Sequence, residues 1–126
     1  VITLFFLLMC AHALCDFTFQ SGPMSVEKNR HSRSDLQKAV PWYYWLSAHA
    51  FIHGGAVYLV TRSITLGLIE AVLHWIIDFA KCENWTNIHS DQFLHLLCRI
   101  SYCWLIWSGT APAWDASLFG GSHLVQ

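Results

Sequence analysis

The sequence predicts an all-α protein, a four-helix transmembrane bundle built from two antiparallel helical hairpins. Three observations carry this expectation. Of 126 residues, 55% are hydrophobic and only 12% are charged, about half the roughly 25% charged residues of an ordinary soluble domain. Four apolar runs each approach the roughly 20 residues that a helix rising 1.5 Å per residue needs to cross a bilayer. Each run also carries one pair of His or Asp residues spaced i, i+4.

The first run is Ile2 to Gln20. No basic residue precedes it, and neither Cys10 nor Cys15 follows the small residue that a signal-peptide cleavage site wants, so it reads as a helix. Ser21 to Val40 follows as a long polar connection holding Lys28, Arg30, Arg33 and Lys38. The second run, Tyr43 to Thr61, starts just after Pro41, where a helix tolerates proline. A break at Arg62 leads to the third run, Ser63 to Lys81, and the polar stretch Glu83 to Ser90 leads to the fourth, Asp91 to Thr110. Breaks this short force antiparallel neighbours. The chain then reads as one integral membrane domain, residues 1–126, with a short tail from Ala111.

Basic residues concentrate in the long connection, which lies on the same side as the loop that follows Lys81, while the opposite side holds only Arg62. The positive-inside rule therefore places the long connection in the cytoplasm and both termini outside. Trp42, Tyr43, Tyr44 and Trp45 at one interface, with Trp104, Trp107 and Trp114 toward the other, fit an aromatic belt. The five cysteines are odd in number, lack CxxC spacing and read as small buried hydrophobes. Net charge is −1, which gives no reason to expect a nucleic-acid partner. A soluble metal-binding bundle is excluded by runs such as ITLFFLLMCA and LIEAVLHWIIDFA, which lack a polar outer stripe.

The i, i+4 pairs are His12 with Asp16, His49 with His53, His74 with Asp78, and Asp91 with His95. This spacing puts both members on one helical face. Ionisable groups in a membrane are costly and face the bundle interior, where they pair or bind something. In an up-down-up-down bundle all four pairs fall at the cytoplasmic end. One turn deeper, Glu70 is level with Arg99, and the two are expected to form a buried ion pair, since either alone would be an uncompensated charge. A weak repeat relates HALCDF (His12 to Phe17) to HWIIDF (His74 to Phe79) and HAFIH (His49 to His53) to DQFLH (Asp91 to His95), as two parallel hairpins would produce.

The strings AHALCDFTFQ (Ala11 to Gln20), HAFIH, HWIIDFAK (His74 to Lys81) and DQFLH resemble the bacterial and phage membrane proteins grouped as domain of unknown function 3307. The resemblance runs to about Thr110. Gln20 and Lys28 stand where that family has a glutamine and a lysine, whereas Cys15 replaces an expected glycine. What it implies is a fold, a place in the bacterial inner membrane and a shared polar cluster; the family has no settled activity.

Imidazole and carboxylate are ligands of zinc, with iron or manganese as alternatives, and facing helices of a four-helix bundle supply them from such pairs. His12, Asp16, His49, His53, His74, Asp78, Asp91 and His95 are the candidate metal ligands, with Asp16, Asp78 and Asp91 as catalytic candidates. Eight donors exceed the needs of one tetrahedral ion, so they hold two ions or one ion with an outer carboxylate shell. Near a membrane surface such a centre would activate water against an ester or phosphoester of a lipid-linked, anionic substrate. Gln20, Lys28, Lys81 and Gln92 are the candidate substrate contacts, and membrane lipid is the expected partner. Two other readings compete: a proton or ion relay, and a non-catalytic accessory protein whose polar network fixes helix register. His31, His89 and His123 are expected in solvent, with His89 close enough to the cluster that a part in it stays open.

Overall fold

A computed structural model gives the structure of residues 1–111. The tail residues 112–126, including Trp114 and His123, lie outside the described residues. The described residues contain helices and no strand.

Helix α1 spans Ile2–Ala13 and runs on into a π-helical turn, Leu14–Thr18, closed by the Phe19 N–H donating to the Leu14 carbonyl at 2.8 Å. The connection expected to be loop contains two short helices, α2 (Gly22–Glu27) and α3 (Asp35–Ala39). Each is started by a serine whose hydroxyl takes one of the amides that a helix N-terminus leaves unpaired. Ser21 accepts from the Met24 amide at 3.2 Å and Ser34 from the Gln37 amide at 2.9 Å. Glu27 is buried beneath this connection, and Ser34 donates to its carboxylate at 2.6 Å.

Helix α4 (Trp42–Thr61) begins directly after Pro41 and stops at Arg62, whose left-handed φ of 58° turns the chain into Ser63. Helix α5 (Ile64–Cys82) is capped by Ser63, and α6 (Ile88–Trp107) by Asn87, whose Oδ1 accepts from the Ser90 amide at 2.9 Å. That cap explains why α6 starts three residues before the expected Asp91.

The long helices pack in a ring: α1 on α4, α4 on α5, α5 on α6, and α6 back on α1, with α2 laid against α4. The α4–α5 pair is the closest. A Cβ on Gly54 would lie 2.6 Å from the Gly67 carbonyl oxygen and 2.9 Å from Ala71 Cβ, and one on Gly67 would lie 2.8 Å from the Gly54 carbonyl oxygen. Only hydrogen at both positions lets the two backbones touch.

The interior is stratified. Leu8, Val57, Leu66, Tyr102, Cys103 and Ala111 form an apolar layer at one end. Toward the other end the buried polar side chains include His12, His49, His53, His74, Asp78, Asp91 and His95, with Glu70 and Arg99 between the layers. All five cysteines are free, and Cys15, Cys82 and Cys103 are buried.

Many large apolar side chains lie on the outside of the long helices. Phe51, Leu59, Leu68, Val72, Ile76, Phe93, Leu97, Ile100, Trp104 and Trp107 are exposed. Four separate membrane crossings were expected, but no helix among the described residues is long and apolar enough to cross a membrane. The π turn interrupts α1 after 12 residues. Helix α4 spends positions on two histidines and several ring residues, and α5 and α6 carry Glu70, Asp78, Lys81, Asp91 and Arg99.

Candidate metal centre

Four elements deliver the polar side chains to one level: the end of α1 with its π turn, the start of α4, the end of α5 and the start of α6. His49 and His53 follow one another on the inner face of α4, and His74 and Asp78 on that of α5, because residues four apart share a helical face. The π turn carries Asp16; such turns recur at functional sites.

Three groups bring donor atoms within 4.8 Å of one another: Asp16, His49, His53 and His74; Glu70, His74 and His95; and Asp78, Asp91 and His95. In the first group, Asp16 Oδ1 lies 3.0 Å from His53 Nε2 and 3.5 Å from His49 Nε2. Two ligands about 2.0–2.1 Å from one tetrahedral ion are about 3.3 Å apart, so these separations suit a shared cation. The alignment also suits one: the Nε2 atoms of His49, His53 and His74 are buried without a hydrogen-bond partner among the described residues, despite their nearness to carboxylates. A buried polar atom is ordinarily paired, so several of them converging on one place call for a common partner.

The rings themselves are packed face to face. His53 and His74 stack at 3.6 Å between centroids, and His74 and His95 at 4.2 Å. Asp78 is the hub of the far side: its carboxylate lies 3.4 Å from His49 Nε2, 3.8 Å from His74 Nε2 and 3.8 Å from His95 Nε2.

His12 sits beside this convergence, and it enters none of the three groups. Its Nδ1 faces Arg99 Nη2 at 3.1 Å, and its Nε2 faces Gln92 Oε1 and Asp16 Oδ2, each at 3.3 Å. Arg99 can only donate, so Nδ1 accepts and Nε2 carries the hydrogen. Both ring nitrogens of His12 are therefore engaged with protein.

Glu70 and Arg99 meet as a bidentate pair, with Nη1 to Oε2 at 2.5 Å and Nη2 to Oε1 at 2.7 Å, and Tyr102 donates its hydroxyl to Glu70 Oε2 at 2.8 Å. Glu70 Oε1 also lies 3.3 Å from His74 Nδ1. Arg99 thus also holds His12, whereas His74 Nδ1 lies near Glu70 without a hydrogen-bond partner among the described residues.

The expected substrate contacts are each tied to a candidate ligand. Lys28, at the end of α2 and buried, donates to Asp78 Oδ2 at 2.5 Å. Lys81 donates to Asp91 Oδ2 at 3.2 Å, and Gln92 donates to Asp16 Oδ2 at 3.1 Å. Gln20 donates to the Asp16 carbonyl at 3.1 Å. These long-range pairings left no signal in the sequence beyond the residue types, because the connection carrying Lys28 folds back only when α2 docks on α4. At the rim, Arg30 and His31 both contact Glu83, at 2.6 and 3.1 Å. The hydrogen bond from Arg30 holds the Glu83 carboxyl below its ordinary range. His89 is exposed.

Asp16, with 13% of its side chain exposed, is more open than the buried histidines around it. Gln20, Lys81 and Gln92 are likewise partly exposed. Neither the comparison with curated proteins nor that with solved structures finds a match. Residues 4–118, most of the chain, match the family model described as Protein of unknown function (DUF3307), and the chain belongs to that family.

Proposed function

We propose that this protein is a membrane-embedded metalloprotein in which His49, His53 and His74 hold a zinc ion, and Asp16 beside them orients water for hydrolysis of an anionic, lipid-linked ester or phosphoester. The observation that carries the reading is the set of three buried imidazole Nε2 atoms, from α4 and α5, with no partner among the described residues and a carboxylate at their open side. These three imidazoles would hold the ion, which would supply Lewis acidity toward water, with the Asp16 carboxylate within 3.5 Å of two of the three nitrogens. Asp16 is the carboxylate beside those nitrogens, and Gln92 fixes it by donating to Oδ2 at 3.1 Å. On the connection, Arg30 and Lys38 are paired with Glu83 and Asp35, which leaves Arg33 to add positive charge for an anionic substrate.

Residence in a bilayer rests on the bundle as a unit. Mean apolarity around a helix counts its inward face, whereas lipid meets only the outward one. Here the outward faces carry Phe51, Leu59, Leu68, Val72, Ile76, Phe93, Leu97 and Ile100, an apolar expanse far larger than scattered surface hydrophobes. His12, His49, His53, Glu70, His74, Asp78, Asp91, His95 and Arg99 of the long helices are buried. We place the protein in the bacterial inner membrane, with the connection 21–40 in the cytoplasm.

Zinc content of the detergent-purified full chain tests the centre. Wild type is expected to retain about one zinc per chain, with His74→Ala losing it and His12→Ala keeping it, because both His12 nitrogens are already engaged. Zinc-dependent hydrolysis of p-nitrophenyl phosphate is expected to vanish in Asp16→Asn while the zinc stays. Wild type without zinc after a chelator-free preparation would refute the centre, and release of the chain from membranes by an alkaline wash would refute the embedding. A proton relay is the second reading, favoured by the continuous His53–His74–His95 stack. It predicts pH-driven flux in vesicles without bound metal.

A further inference from the structure

We propose that Asp78, Asp91 and His95 form a second divalent-cation site, separate from the three-imidazole site, whose carboxylates are held by Lys28 and Lys81 until the cation binds.

The three donors come from the end of α5 and the start of α6, and their ligand atoms lie within 4.8 Å of one another. All three residues are at most 2% exposed. Both ring nitrogens of His95 and Oδ1 of Asp91 have no hydrogen-bond partner among the described residues. These atoms are 3.7 Å apart across Nε2 and Oδ1, on the same side as Asp78 Oδ1 at 3.8 Å from His95 Nε2. Buried imidazole and carboxylate atoms aimed at one another without bonding leave a place for an atom that accepts lone pairs from both. The competing group of Glu70, His74 and His95 does not serve, since both Glu70 oxygens are taken by Arg99 and Tyr102.

Charge decides what fits. Two carboxylates here are matched by two ammonium groups, Lys28 on Asp78 at 2.5 Å and Lys81 on Asp91 at 3.2 Å. One divalent cation carries the same charge as the pair of lysines, so it can replace their contacts without leaving net charge in the bundle. Lys81 is 32% exposed and can turn to water, while Lys28 is carried by the connection after α2. Two carboxylates and one imidazole are a harder donor set than three imidazoles, so this site takes manganese(II) more readily than its neighbour does. Asp78 also lies 3.4 Å from His49 Nε2, which links the two sites through one carboxylate, as in paired-metal centres.

The probe is Mn2+ alone, titrated into the zinc-loaded, detergent-purified full chain and followed by the loss of the free-ion electron paramagnetic resonance signal. One Mn2+ per chain is expected beyond the zinc, lost in Asp91→Asn with the zinc retained. Lys81→Met and Lys28→Met are expected to tighten Mn2+ about tenfold each, a gain that misfolding cannot mimic. In His53→Ala, which removes the zinc site, Mn2+ still binds; zinc loss there with Mn2+ retained separates this proposal from the function proposed above. Absence of Mn2+ binding in wild type, unchanged affinity in both lysine variants, or full binding in Asp91→Asn would each overturn it.

Discussion

Replacing Arg99 by Met tests the element that supports the whole polar layer. The guanidinium and the Glu70 carboxylate are each 1% exposed and joined by two hydrogen bonds of 2.5 and 2.7 Å. At an effective dielectric of about 20, opposite charges about 4 Å apart attract by roughly 4 kcal/mol. Removing the arginine leaves Glu70 with Tyr102 and the His74 ring as its neighbours, neither of which brings a fixed positive charge. Breaking a buried pair from one side costs about 3–5 kcal/mol, whereas removing both charges is often close to neutral. Arg99→Met and Glu70→Met are therefore each expected to destabilise by about 3–5 kcal/mol. The double variant is expected to lie within about 2 kcal/mol of wild type, a coupling of several kcal/mol. Denaturant titration of the detergent-solubilised protein, read by tryptophan fluorescence, measures all three. The exchange Glu70→Arg with Arg99→Glu should likewise fold better than either single change. Additive losses, or single variants costing under about 1 kcal/mol, would show that the two charges are independently solvated and that the pairing argument is wrong.

Gly54→Ala is expected to cost about 1–3 kcal/mol in the same titration, since its methyl would meet the Gly67 backbone at 2.6 Å. Gly55→Ala, with nothing within 4 Å of its added carbon, should stabilise by up to about 1 kcal/mol through helix propensity. Glu83 gives a pH test. Its folded carboxyl is held low by Arg30, so its contribution is present above the unfolded glutamate range and is lost as pH falls through the folded value. A stability profile below about pH 5 should be shallower in Glu83→Gln than in wild type, and identical profiles would refute this role.

Helix-forming runs and i, i+4 pairs were legible in the sequence because both depend on local geometry, the 3.6-residue turn and the pitch of one helix. That is why His49 with His53, and His74 with Asp78, could be assigned to single faces, and why Glu70 and Arg99 could be matched by depth. The π turn at Leu14–Thr18 was not legible, since its hydrogen-bond shift is set by how α1 meets α4 and α6. Nor was the start of α6, which Asn87 fixes through a cap that polar loop residues share in type with many non-caps.

The sequence by itself determined an all-helical chain whose polar residues recur on one side of each long helix, because periodicity is a property of the helix alone. Tertiary structure decided which of those residues meet. It gave His12 to Arg99 and Gln92, brought Lys28 from the far connection onto Asp78, and left the nitrogens of His49, His53, His74 and His95 facing one another. Such choices depend on helix rotation and separation, which the glycine contact between α4 and α5 and the buried Glu70–Arg99 pair help to set.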